Sequence, residues 1–285
     1  MRNIAVACMS GSFKCIFVHG VLSAFAEGNF RASAYAATSF SALPAAYAAI
    51  GKISDYPAEV WVEMLKEKTE PGKSMSHAIL QRNFKSLSLL KESLFEKSTA
   101  RLIIACSLVK NSEAASITQG VKSVTLGRRL LIHSARKNAT WKDENLELHL
   151  YDTLSSDPDL RLQKGNLEEV LYATTRMLHA WPVPAEVDKK PYVDGSYTCL
   201  NPVFPLVELG YKKIIAIATE PGLLYKDLFS SETIPSFMNQ SEIDIIQPES
   251  DLKNMGVDFT TATETGLLNV YQYGIDVGMT YLNKN

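Results

Sequence analysis

Two short apolar runs, each followed by small residues and then by a helical pattern, constrain the fold most. Residues 3–8 (NIAVAC) are typical of a buried strand, and the apolar residues within 15–27 recur at helical spacing. The same order repeats at once, with a strand expected over residues 34–38 and an Ala-rich helix over 41–50. Strand, tight turn and helix form the opening unit of a βαβ fold, so the sequence predicts an α/β protein.

The rest of the chain continues this alternation, and we expect a mostly parallel sheet. Further strands are expected over residues 101–107, 129–134, 213–219 and 243–246. Further helices are expected over residues 58–68, 79–95, 166–173, 202–209 and 265–282. Residues 138–165 show no clear pattern, and no repeat or low-complexity linker divides the chain. The sequence therefore predicts one α/β domain covering residues 1–285.

Charge and cysteine content argue against several classes of function. The chain has 29 basic and 31 acidic residues, a formal net charge of −2 and no dense Lys/Arg stripe. We therefore expect no nucleic-acid partner. The four cysteines are scattered without a CxxC pair, which favours neither a zinc site nor a disulfide framework. No other ligand cluster is visible, so we expect no metal and no cofactor.

Two stretches near the N-terminus resemble export or membrane signals only superficially. Residues 1–26 have a basic start, but Ser12 and Lys14 interrupt any apolar core. Residues 32–51 carry no charge, yet they are mostly Ala and Ser with Pro44 inside, which is less apolar than a spanning helix requires. We expect a cytoplasmic protein without a signal peptide or transmembrane helix, able to lie peripherally at a membrane.

The first candidate site is the turn over residues 10–14 (SGSFK), between the first strand and its helix. Backbone N–H groups at a helix N-terminus lack intrahelical partners and can hold a phosphate or a developing oxyanion. A nucleotide site would need G-x-G-x-x-G or a GK[ST] ending, and neither is present. The alternative is a turn whose small residues serve packing alone.

The second candidate site is the segment over residues 37–41 (ATSFS), which puts Ser39 between a strand and a helix. A sharp turn at this position exposes a serine hydroxyl, and small residues two before and two after it prevent clashes. The usual pattern is G-x-S-x-G, and here Ala37 and Ser41 replace the glycines. Ser39 is a candidate nucleophile, with helix N-capping as the alternative.

The third candidate is Asp194, which precedes Gly195 in an expected loop and is equally compatible with a plain turn. A serine hydrolase with the common order Ser, acid, His needs a histidine after its acid. All five histidines precede Asp194: His19, His77, His133, His149 and His179. Asp152 could be paired with His179, but their surroundings are not typical of a catalytic loop. Asp194 is the better partner for Ser39.

These three motifs, in this order, resemble those of the patatin-like phospholipase family. Residues 10–15 (SGSFKC) are similar to its G-G-G-x-[RK]-G oxyanion loop, and residues 20–25 (GVLSAF) to its GVLxAL helix. Residues 37–43 (ATSFSAL) resemble its GTSAGAL nucleophile motif. Asp194-Gly195 resembles its D-G/A motif, and residues 201–203 (NPV) follow at a similar place.

The resemblance implies a three-layer α/β/α fold with a mostly parallel central sheet and a covalent mechanism. Asp194 would take the proton of Ser39, and Gly11, Ser12 and Lys14 would stabilise the oxyanion. The implied activity is of the phospholipase A or lysophospholipase type, on a phospholipid or another acyl ester, with transient contact to a membrane surface. The replaced glycines leave an alternative open, a catalytically inactive patatin-like fold that binds lipid or protein.

Overall fold

Strands and helices alternate along the chain in the computed structural model, which describes residues 3–82 and 87–284. The strands are β1 (Ile4–Cys8), β2 (Ala34–Thr38), β3 (Arg101–Val109), β4 (Leu146–Asp152), β5 (Glu186–Val187), β6 (Lys190–Val193), β7 (Lys213–Ile217), β8 (Phe237–Met238) and β9 (Ser241–Ile246). The helices are α1 (Cys15–Glu27), α2 (Ala42–Ala49), α3 (Glu59–Thr69), α4 (Met75–Arg82), α5 (Leu87–Ser93), α6 (Ser112–Thr118), α7 (Ser123–Ala135), α8 (Thr140–Asn145), α9 (Leu167–Thr175), α10 (Val203–Glu208) and α11 (Glu264–Lys284). The α/β class predicted from the sequence is confirmed.

The nine described strands form one mixed sheet in the order β5-β6-β3-β2-β1-β7-β9-β8, with β4 paired to β3 outside this path. Strands β3, β2, β1, β7 and β9 are parallel to one another. Strands β4, β6 and β8 run antiparallel to their neighbours. Every residue of β2 is buried, as is usual for parallel strands that are covered on both faces. The prediction of a mostly parallel sheet is confirmed.

Side chains from the two faces of the sheet enter different apolar clusters. Val6 of β1 belongs to the cluster to which α1 and α11 contribute. Its neighbours Ala5 and Ala7 belong to the cluster to which α10 contributes. Because successive side chains of a strand point to opposite faces, helices cover the sheet on both sides.

One edge of β3 is shared by two strands that approach it from opposite ends. Thr38, the last residue of β2, pairs with Ala105, and β2 runs parallel to β3. Val193, the last residue of β6, pairs with Ser107, and β6 runs antiparallel to β3. Strand β4 occupies the other edge of β3 over this whole region. The residues that follow β2 and β6 therefore leave the sheet at the same place, beside Cys106.

Several expected elements differ from those observed. The strand expected over residues 129–134 is wrong, because these residues lie inside α7, where Leu126 and Leu130 are buried at helical spacing. The helix expected over residues 79–95 corresponds to parts of α4 and α5, and its residues 83–86 lie outside the described residues. The region without a clear pattern, residues 138–165, contains α8 and β4.

Helices α1 and α11 pack closely at a pair of glycines. A Cβ atom on Gly20 would lie 2.2 Å from the carbonyl oxygen of Tyr271. A Cβ atom on Gly274 would lie 2.4 Å from the carbonyl oxygen of Phe17. The two backbones are thus in direct contact, which fixes α1 and the turn that precedes it against the C-terminal helix.

We expect Gly274→Ala to lower the free energy of unfolding by about 2 kcal/mol, because an added methyl group must displace backbone of α1. The measurement is urea denaturation followed by circular dichroism. Gly165→Ala is the matched control, since no atom lies within 4 Å of the Cβ position at Gly165. A Gly274→Ala protein as stable as the unmodified chain would contradict the close contact.

Candidate active site

Ser39 lies at a sharp turn between β2 and a short 3₁₀ helix (Ser39–Ser41). Its φ angle is +60°, in the left-handed region that residues other than glycine adopt uncommonly and at a cost. The N–H group of Ser39 donates to Oγ1 of Thr174 at 2.8 Å. Thr174 in turn donates to the carbonyl of Ala105 in β3 at 2.6 Å. The end of α9 and the middle of β3 therefore hold this strained turn.

The hydroxyl of Ser39 is directed at Asp194. Its Oγ donates to Oδ2 of Asp194 at 2.7 Å, and the two residues are 3% and 1% exposed. The helix that begins at Ser39 has no side-chain cap, so the capping alternative is not adopted. Oδ1 of Asp194 accepts the N–H of Ser196 at 2.8 Å. Both carboxylate oxygens are thus held, and one of them is in hydrogen-bond contact with the serine.

Burial makes Asp194 a stronger base than an ordinary carboxylate. Desolvation raises its pKa from 3.8 to about 6, and the hydrogen bonds from Ser196 and Ser39 limit this rise. A group with this pKa is mostly ionised at neutral pH. It also holds a proton far better than an exposed aspartate, as a general base should.

Gly195 allows the chain after Asp194 to lie directly on β3. A Cβ atom at Gly195 would lie 2.1 Å from the carbonyl oxygen of Ala105, so no side chain fits there. Ser107 of β3 donates its hydroxyl hydrogen to the carbonyl of Asp194 at 2.8 Å. The Asp-Gly pair is therefore more than a turn, because it brings the carboxylate to the point where β2 ends.

The turn between β1 and α1 borders the same cavity as Ser39. In the described part of the chain, the N–H groups of Gly11 and Ser12 donate to no protein acceptor, whereas those of Ser10 and Phe13 donate to carbonyls. Free N–H groups that face a reacting carbonyl are the donors from which an oxyanion hole is built. The structure thus brings Gly11 and Ser12 to the same site as Ser39 and Asp194.

Lys14 is not brought to this cavity. Its Nζ lies 2.5 Å from Oε1 of Glu220 and 2.7 Å from Oδ1 of Asp251, and 4.5 Å from the ring centroid of Phe259. Burial opposes the positive charge of Lys14, but the two carboxylates outweigh it and raise its pKa. The structure therefore places the charge expected to help stabilise an oxyanion in an ion pair outside the cavity lining. Its contacts instead tie the turn to two distant segments of the chain.

A cavity of about 580 Å³ opens over Ser39, within the usual size range of small-molecule sites. It is bordered by the dyad and the β1–α1 turn, and by apolar side chains from several segments: Leu131, Met177, Trp181, Leu223, Tyr225, Leu228 and Phe259. Most of these residues come from loops that the sequence pattern does not connect with the motifs. The dyad therefore lies at the bottom of a largely apolar site.

His179 is the histidine that lines this cavity, a position that no sequence motif indicates. Burial lowers its pKa, so the ring is neutral at neutral pH. It reaches the cavity because Gly127 of α7 lets the backbone pass closely: a Cβ atom there would lie 2.3 Å from the nitrogen of His179. Asp152, its alternative partner, instead binds Arg101, whose Nε lies 3.0 Å from Oδ1.

Two other features can be stated for residues 3–82 and 87–284. No group of three or more His, Cys, Asp and Glu side chains in these ranges could hold a metal ion. None of the helices formed there combines the length and the hydropathy that crossing a membrane requires.

No family model matches the chain, and no curated protein matches it. The chemistry of the site therefore rests on its own geometry. That geometry consists of a serine on a strained turn, a buried carboxylate in hydrogen-bond contact with it, two free N–H groups and an apolar cavity.

Asp194→Asn should stabilise the protein at neutral pH by on the order of 3 kcal/mol. The pKa of the native carboxyl, about 6, lies above the ordinary value of 3.8. The cost of burying its charge is therefore absent below about pH 4 and complete above about pH 6, so stability is lost as the pH rises through this window. Urea denaturation at pH 4.0, 5.0, 6.0 and 7.5 measures the difference.

Asp276→Asn, which removes an exposed carboxylate of α11, is the matched control for this substitution. If the advantage of Asp194→Asn over the unmodified chain were the same at all four pH values, the raised pKa would be refuted.

Proposed function

We propose that this chain is a serine acyl hydrolase of the patatin-like type, which cleaves lipid acyl esters through a Ser39–Asp194 dyad. The observation that carries the proposal is the 2.7 Å hydrogen bond from Ser39 Oγ to Asp194, made at a turn with positive φ. A nucleophile in hydrogen-bond contact with its base, while a third group orients that base, is the arrangement of an activated serine. Here the N–H of Ser196 is the orienting group.

The reaction proceeds through an acyl-enzyme. Asp194 accepts the proton of Ser39 as Oγ attacks the ester carbonyl, and the N–H groups of Gly11 and Ser12 hold the negative oxygen of the tetrahedral intermediate. When the intermediate collapses, the alcohol leaves with the proton from Asp194. Water then attacks the acyl-enzyme, with Asp194 again accepting a proton, and the acid is released as Ser39 regains its hydrogen.

Electrostatic stabilisation has to supply much of the rate in this mechanism. Even with a pKa of about 6, Asp194 is a weak base towards a serine hydroxyl, so the oxyanion must be held well in the transition state. Removal of one such donor commonly costs about 10²- to 10³-fold in kcat. This is why the free N–H groups of Gly11 and Ser12 matter to the proposal as much as the dyad does.

The lining of the cavity supports a lipid substrate. Leu131, Leu223 and Phe259 border it and are 38%, 70% and 46% exposed. Large apolar side chains that remain exposed around a cavity are typical of sites for apolar ligands or surfaces. They provide a path for an acyl chain to leave a membrane surface and reach Ser39. The mostly parallel sheet with helices on both faces also agrees with the three-layer architecture of patatin-like proteins.

We expect the protein to hydrolyse 4-nitrophenyl octanoate and to react with a fluorophosphonate probe at Ser39. Ser39→Ala should reduce kcat at least about 10³-fold and abolish labelling, because no other nucleophile replaces the hydroxyl. Mass spectrometry of the labelled peptide identifies the residue, and Ser116→Ala, on the exposed face of α6, is the control. Labelling that survives in Ser39→Ala would assign the nucleophile to another residue. An unmodified chain without activity or labelling would favour the inactive binding fold.

The base should be Asp194 and not His179. Asp194→Asn should lower kcat by about 10³-fold, while His179→Gln should retain activity well above that of Asp194→Asn. The logarithm of kcat/KM should rise with pH up to about 6, where Asp194 loses its proton, and then stay level. The measurements are pH–rate profiles of the three proteins. A His179→Gln variant as inactive as Asp194→Asn would show that histidine takes part in proton transfer.

A further inference from the structure

We propose that the cavity over Ser39 selects acyl esters with an uncharged leaving group, such as acylglycerols, against esters that carry a phosphate. This inference rests on the proposed function and narrows its substrate class. It also departs from the phospholipid that the sequence resemblance implies.

The charged side chains of the cavity wall are carboxylates. Asp194, Glu220 and Asp258 line it, and no described lysine or arginine does. A phosphate bound in the cavity would share it with these carboxylates. Like unit charges about 10 Å apart in a partly buried site repel each other enough to lower affinity several-fold per charge.

Two lysines near the cavity are already paired with carboxylates. Lys14 carries one positive charge and binds the carboxylates of both Glu220 and Asp251, so this cluster keeps a net negative charge. Nζ of Lys253 lies 3.6 Å from Asp258. A phosphate would have to compete for each of these lysines with a carboxylate that is already in place.

Lys137 and Arg128 are the cations beside the cavity for which the described residues offer no carboxylate partner. Nζ of Lys137 lies over the ring of Tyr225 at 4.0 Å from the centroid, and Tyr225 lines the cavity. Arg128 lies close enough to His179, another lining residue, to help lower its pKa. Both cations are exposed to solvent, which screens them, so they do not offset the net negative charge of the wall. The uncharged glycerol group of an acylglycerol avoids this repulsion. The exposed apolar side chains that border the cavity contact the acyl chain equally in both kinds of ester.

The test compares two esters with the same acyl chain, 1-octanoylglycerol and 1-octanoylglycerol 3-phosphate, below their critical micelle concentrations. We expect kcat/KM to be at least about tenfold higher for the glycerol ester at low salt. The ratio should shrink in 0.5 M NaCl, because salt screens the carboxylates. Asp258→Asn should reduce the ratio a few-fold at low salt, and Asp276→Asn, which lies outside the cavity, is the matched control.

Turnover of 4-nitrophenyl octanoate separates failure of this inference from failure of the proposed function. If that ester is cleaved but kcat/KM is higher for the phosphate ester than for the glycerol ester, the charge selection is wrong. If Lys137→Ala then removes the higher kcat/KM of the phosphate ester, Lys137 is the cation responsible. Calorimetric titration of Ser39→Ala with both lipids measures binding without turnover. Tighter binding of octanoylglycerol there supports the inference even if no ester is hydrolysed, and tighter binding of the phosphate overturns it.

Discussion

The shared edge of β3 is the constraint on which the rest of the site depends. The last residue of β2 pairs with Ala105 of β3, and the last residue of β6, which comes from the opposite direction, pairs with Ser107 of β3. The residues that follow the two strands therefore meet each other. Ser39 and Asp194 are thus positioned by sheet register and not by mobile loops. The hydroxyl–carboxylate distance of 2.7 Å follows from hydrogen bonds that run through the centre of the protein. Sites built on sheet elements hold their geometry better than sites built on loops.

This arrangement has energetic costs that neighbouring groups offset. The positive φ of Ser39 is maintained by Thr174, which bridges its N–H to β3. Burial raises the pKa of the Asp194 carboxylate, and the N–H of Ser196, which holds it in place of a cation, only limits this rise. A lysine beside Asp194 would stabilise its charge and weaken it as a base. Lys14, a buried residue at the end of the turn between β1 and α1, is instead bound to two other carboxylates, Glu220 and Asp251.

Local chemistry explains which parts of the site could be predicted from the sequence. The strand–turn–helix units around residues 10–14 and Ser39 depend on neighbouring residues, and the structure has them as expected. Asp194 lies 155 residues from Ser39, so no local pattern joins the two. The order of the histidines along the chain and the resemblance to a known family paired them. The direction of the Lys14 side chain is set by carboxylates 206 and 237 residues away, which sequence proximity to Gly11 could not reveal.

The space available for a Cβ atom explains at which motif positions this chain has a glycine and at which it has another residue. Gly195 lies against the backbone of β3, where a Cβ atom does not fit, and a Cβ atom on Gly11 would lie 2.6 Å from Oγ1 of Thr219. Ser41 stands where a nucleophile motif usually has its second glycine, and its hydroxyl donates to the carbonyl of Met9. This bond links the turn of Ser39 to the residue after β1, directly before the turn between β1 and α1. Ser41, which replaces a glycine of the motif, thus connects the turn at Ser39 with the turn between β1 and α1 in the structure.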